Sequence, residues 1–134
     1  MKKPLSAILL VDDDEISNYI TKSLIAEMDL APELEVVTNG KMALDFLDDH
    51  PLLSKGEEGH LLVFLDLNMP IMDGFEFMGE FEKRKWKDKV SVIMLTSSSS
   101  PKDLNSAKHY NFLGYLQKPF SQEDIRKLLS GAFI

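Results

Sequence analysis

Residues 61–74, LLVFLDLNMPIMDG, set five apolar side chains directly against one carboxylate, Asp66. A short apolar run bounded by polar residues reads as a strand buried on both faces, as in a parallel sheet. An ionised side chain is costly to bury, so Asp66 is expected where that strand emerges at its carboxyl end. Asn68, then Pro70 with no amide to donate, then Asp73-Gly74 predict a tight turn opening into a helix. The stretch therefore delivers one acid to the mouth of a sheet on a short, stiff connection.

Working outward, residues 7–11 (AILLV) form a second apolar run that ends in acid, Asp12 to Glu15. From Glu15 the spacing turns helical, with Ile16, Ile20, Leu24 and Met28 four apart and Ile25 widening the stripe. Asp14 is placed to cap that helix. Residues 34–38 alternate as a strand closed by Asn39-Gly40, and Met42, Ala43, Phe46 and Leu47 mark a second helix. Residues 48–60, with Pro51, Gly56 and Gly59 among charges, read as an exposed connection. A third helix is predicted over 75–86, a fourth strand over 90–95 ending at Thr96, and a helix over 101–110 started by Ser100, Pro101 and Asp103. Residues 112–116 give the fifth strand. Lys118-Pro119 follows, and Ser121 with Asp124 forms a capping box for a last helix carrying Ile125, Leu128 and Leu129.

Strand then helix, five times, predicts one α/β domain, residues 1–134, with no output module. The expected form is a doubly wound, five-stranded parallel sheet of flavodoxin-like (βα)5 type, strand order 2-1-3-4-5. Ligands of such sheets bind beyond the carboxyl ends of the strands. Asp12-Asp13, Asp66, Thr96 and Lys118 all fall on that rim.

Composition narrows the function. The 134 residues carry a formal charge of -7, which argues against nucleic acid or an anionic membrane as the main partner. The absence of cysteine excludes disulfide stapling and thiolate chemistry, as suits a reducing cytosol. Lys2-Lys3 before an apolar run resembles a weak signal peptide, but the acids from Asp12 stand where a small-residue cleavage site belongs. No apolar run has the length of a membrane span. A cytoplasmic location is expected.

Three carboxylates on one rim repel one another and call for compensation. A divalent cation held by oxygen ligands supplies it, and Mg²⁺ is the usual choice beside phosphates. With Asp12, Asp13 and Asp66 ionised, Mg²⁺ and Lys118 bring the site to neutrality before a phosphoryl group arrives. Asp66 can then accept that group, with Thr96 donating to a phosphoryl oxygen. The resulting acyl phosphate hydrolyses readily, which suits a timed signal. The acidic run offers two pairs, Asp12-Asp13 and Asp13-Asp14; the end of the apolar run at Val11 favours the first.

These residues resemble the receiver domain of bacterial two-component response regulators, of the single-domain chemotaxis type, over essentially the whole chain. The matching positions are Asp12-Asp13, Asp66 with Pro70 and Asp73-Gly74, Thr96, Tyr115 and Lys118-Pro119. The resemblance implies that Asp13 and Asp66 bind Mg²⁺ directly, together with the backbone carbonyl of Asn68, and that Asp12 does so through water. It also implies a cis Lys118-Pro119 bond, a histidine kinase or phosphotransfer protein as donor, and an unnamed downstream protein target. Thr96 and Tyr115 are the implied switch, moving the face made by the fourth predicted helix, fifth strand and fifth predicted helix. That fourth helix has few apolar residues beyond Leu104 and Ala107 and should be loosely held.

Three other functions compete. A haloacid-dehalogenase-type phosphatase needs a second acid where Asn68 stands. A receiver-like module without phosphorylation would not need all five site positions. A flavin or nucleotide domain wants a glycine-rich phosphate loop, which is lacking. Simpler readings also exist for Tyr115 as edge-strand packing, for the basic residues 83–89 as a solvated helix end, and for His50, His60 and His109, which show no zinc spacing.

Overall fold

The computed structural model describes residues 5–97, 101–130 and 133, with the main chain alone at 101. Five strands, β1 (Leu5–Val11), β2 (Glu33–Val37), β3 (His60–Asp66), β4 (Val90–Thr96) and β5 (Gly114–Gln117), pair in parallel in the order β2-β1-β3-β4-β5. The helices are α1 (Glu15–Met28), α2 (Gly40–Asp49), α3 (Pro51–Ser54), α4 (Gly74–Phe81), α5 (Pro101–Ala107) and α6 (Gln122–Leu129). This is the doubly wound sheet that the repeated strand–helix pattern predicts.

Strand periodicity divides the core into two layers. Leu61, Val63 and Leu65 join Leu44, Leu47, Phe77, Met78 and Phe81 beneath α2 and α4. Leu62 and Phe64 face the other way, onto Ile25 of α1 and Ile125 and Leu129 of α6. With both faces covered, every residue of β3 is buried.

Several elements differ from the sequence expectation. On α1 the buried residues are Asn18, Thr21 and Ile25, whereas Ile16 and Ile20 are 73% and 54% exposed. The amide nitrogen of Asn18 donates to the Asp12 carbonyl at 2.8 Å and helps to set which arc of the helix faces inward. The 48–60 connection is not simply exposed. His50 Nδ1 accepts the Leu52 amide at 3.1 Å, Pro51 starts the short helix α3, and Leu52 and Leu53 enter the core. His60 is buried as the first residue of β3, with Nε2 2.8 Å from Ser91 Oγ. The third predicted helix stops at Phe81, and Trp86 folds back edge-on against Phe81 while donating to Asp48 at 3.1 Å. Two of the basic residues beyond it are stitches: Arg84 grips Asp48 at 3.0 and 3.1 Å, and Lys89 donates to the Glu57 carbonyl at 2.7 Å. β5 begins at Gly114 rather than 112, after Leu113 has donated to the Val92 carbonyl. The helix cap expected at Ser100 lies outside the described residues, as do Ser98 and Ser99.

Candidate functional site

Parallel register builds the site. Val11 pairs with Leu65, so the next residues, Asp12 and Asp66, leave their strands side by side. Asp66 in turn pairs with Leu95, which sets Thr96 one residue beyond on β4. Main-chain donation from Lys118 to the Thr96 carbonyl, at 2.8 Å, brings the end of β5 to the same rim. The Lys118-Pro119 bond is cis.

The side chains converge tightly. Lys118 Nζ lies 2.6 Å from Asp12 Oδ2 and 3.9 Å from Asp66 Oδ2. Asp12, Asp13 and Asp66 each offer a carboxylate oxygen within 4.8 Å of the others, a hard oxygen set of the kind that divalent cations take. Asp12 and Asp66 are buried and Asp13 is exposed. Asp14 instead accepts the amides of Ile16 and Ser17 and caps α1. Asn68 follows Asp66 closely, its amide 3.5 Å from Asp66 Oδ1. Thr96 is buried at the rim. Tyr115 is not drawn in: it is half exposed and lines a cleft of about 390 Å³ with Met94, Leu104, Ala107 and Gly114.

The two buried acids are not equivalent. Burial opposes ionisation of Asp12, but hydrogen bonds from Lys118, the Asp14 amide and Ser17, with the charge of Lys118, outweigh it and hold the carboxyl below its ordinary range. At Asp66 burial dominates; Lys118 opposes it, the negative charge of Asp12 adds to it, and the pKa rises to about 6. Lys118 is thus spent mainly on Asp12, and Asp66 is left electrostatically short of positive charge. A cation held among the three carboxylates would correct that deficit.

Two supporting residues escape sequence reading. Ser17 donates to Asp12 Oδ2 at 2.9 Å. Asn18 is buried, and its Oδ1 is the one buried side-chain polar atom without a hydrogen-bond partner among the described residues. Their only signal in the sequence is polarity on an arc of α1 that apolar periodicity does not select. Asp73 and Glu76 form a reciprocal capping box that starts α4 directly after the Asp66 connection.

Comparison with known proteins agrees with this geometry. Residues 8–130 match the model of the response regulator receiver domain. The chain is 31% identical over 120 residues to the probable methanogenesis regulatory protein FilR2 of Methanothrix harundinacea, covering 90% of this chain and 76% of that one. It is 26% identical to the response regulator Rcp1 of Synechocystis, covering 96% and 86%. The crystal structure of a two component response regulator from Cytophaga hutchinsonii superposes with a TM-score of 0.79 at 28% identity, covering 96% and 95%. With the acid-lined rim, the parallel sheet and the family match in agreement, the chain belongs to the response regulator receiver domains of two-component signalling.

Proposed function

We propose that Asp66 is the phosphoacceptor of this receiver domain and that phosphorylation there controls the binding of a downstream protein. The observation that carries the reading is the convergence of Asp12, Asp13, Asp66 and Lys118 from three separate strand ends on one rim. Asp12, Asp13, Asp66 and the backbone carbonyl of Asn68 would hold Mg²⁺, which when bound neutralises the carboxylates and the incoming phosphoryl oxygens.

An Asp66 carboxylate oxygen attacks phosphorus as the bond to the donor breaks, for a phosphohistidine donor the P–N bond, and the imidazole leaves with a proton from solvent. Lys118 and the Thr96 hydroxyl bind phosphoryl oxygens on the product side. Hydrolysis of the acyl phosphate by water returns Asp66 and inorganic phosphate. The donor is a histidine kinase or phosphotransfer protein. Thr96 moving towards the phosphoryl group and Tyr115 turning into its cleft alter the α5–β5–α6 face, which the downstream target reads. The site is thus one of signalling and turns over no substrate but its own phosphoryl group. No helix among the described residues is long and apolar enough to cross a membrane, and a cytoplasmic setting fits a kinase partner.

Intact-protein mass after incubation with acetyl phosphate tests the reading. One phosphoryl adduct is expected on the wild type with Mg²⁺, and none without Mg²⁺ or in Asp66→Asn. An adduct that survives in Asp66→Asn would move the acceptor elsewhere.

A further inference from the structure

The connection from Asp66 to α4 carries a strained turn that other elements must hold. The Met72 amide donates to the Pro70 carbonyl at 2.7 Å, closing a three-residue turn around Ile71, whose φ is +69°. A three-residue turn with positive φ at its centre is the rare and strained form of that turn, and a β-branched residue is among the least suited to it. Among the described residues the other non-glycine residue with positive φ is Asp29, at the C-cap of α1, where that conformation is ordinary. Burial does not hold Ile71 in place, since its side chain is 77% exposed.

Two flanking helices hold the turn. The amide of Gly40, the first residue of α2, donates to the Met72 carbonyl at 3.1 Å. A Cβ on Gly40 would lie 2.8 Å from that oxygen and 2.9 Å from Met72 Cγ, so glycine is needed here for room. At the other end, Gly74 of α4 donates to the Leu67 carbonyl at 2.9 Å, and a Cβ there would lie 2.8 Å from Leu67 Cα and 2.9 Å from the Asp66 carbonyl oxygen. The connection is gripped from both sides by the opening residues of two helices. Strained backbone persists only where its surroundings over-determine it.

We propose that Gly40 is a positioning residue for the Asp66 site: by clamping Met72, it keeps the strained turn at Ile71 closed and fixes the connection that carries Asn68. This rests on the reading of Asp66 as phosphoacceptor. Gly40 touches no reacting atom and acts through the Met72 carbonyl. The strain gives the connection a single defined path, where a relaxed turn would sample several.

The test compares Gly40→Ala, Ile71→Gly and the control Gly79→Ala, whose Cβ meets nothing within 4 Å. Backbone amide shifts are recorded without metal, thermal stability is measured, and beryllofluoride is titrated with Mg²⁺ present. Gly40→Ala is expected to shift the amides of residues 68–73 and to weaken beryllofluoride binding about tenfold, the scale of a lost supporting contact at a metal site. Gly79→Ala should leave both unchanged. Ile71→Gly removes an exposed side chain and the strain with it, so it folds whatever becomes of Gly40→Ala. It should keep or raise the Tm and still weaken beryllofluoride binding. Shifts confined to α2 with wild-type beryllofluoride affinity, or full affinity in Ile71→Gly, overturn the proposal. A wild type that binds no beryllofluoride counts against the phosphoacceptor reading instead, and the metal-free amide shifts still decide the role of Gly40.

Discussion

The two sides of the rim are built to different standards. Asp12 and Asp66 extend from β1 and β3, central strands whose residues are buried almost throughout, and α4 sinks Phe77, Met78 and Phe81 into the core beside them. Across the rim, β5 buries only Leu116 of its four residues, and no described side chain of α5 is fully buried. Few apolar contacts mean a low local cost of opening. On the proposed reading, the carboxylates that must meet phosphorus with fixed geometry sit on the stiff side, and the parts that report the event sit on the loose side.

Core truncations challenge that contrast most severely. Phe64→Ala, at a fully buried position of β3, should cost about 3–5 kcal/mol, while Leu104→Ala on α5 should cost less than about 1 kcal/mol. Urea unfolding of both variants decides it, and equal losses would erase the distinction between the two sides.

A smaller effect separates the acids. Because the folded pKa of Asp66 is raised from 3.8 to about 6, the folded protein holds that proton more tightly than the unfolded chain. The stability this confers is present at pH 3 and lost as pH rises through about 6. Without Mg²⁺, Asp66→Asn should therefore match the wild type near pH 3 and exceed it by about 3 kcal/mol at pH 7. Urea midpoints measured across that range check the sign. A variant less stable at pH 7 would mean that the attraction of Lys118 for Asp66 outweighs burial.

Helix capping gives a third comparison. Asp73→Ala removes one half of the capping box on α4 and should cost about 1 kcal/mol, visible as a lower Tm. Tyr115→Ala, at a half-exposed position on the loose side, should change stability by no more than about 0.5 kcal/mol. A loss at Tyr115 as large as at Asp73 would show that β5 is held more firmly than its burial suggests.

The sheet and its rim were legible because the strands are buried on both faces and end in polar residues, as at Val11-Asp12 and Leu65-Asp66. Parallel pairing then needs no further information to gather those ends. The inward arc of α1 was not legible. Asn18 and Thr21 belong to it, and the hydrogen bond from Asn18 to the Asp12 carbonyl outranks the apolar spacing of Ile16 and Ile20. At four residues, α3 is too short for periodicity to register. The third predicted helix looked longer because Trp86 continues the apolar pattern, although its ring folds back on Phe81 from beyond the helix end. Gly40 and Ile71 escaped for a different reason. Their importance lies in a main-chain contact and a φ angle, and neither leaves a side-chain pattern to read.

The ion pair between Lys118 and Asp12 joins residues 106 positions apart, across almost the whole chain. Contacts of such separation carry the largest loop-closure cost and tend to form late in folding. As the protein is synthesised, β1 and β3 with their acids are complete long before Lys118 is added. A chain stopped short of β5 carries all three carboxylates but lacks Lys118. On the proposed reading, the finished site certifies that the last strand has docked, and competence to receive a phosphoryl group arrives together with completion of the fold.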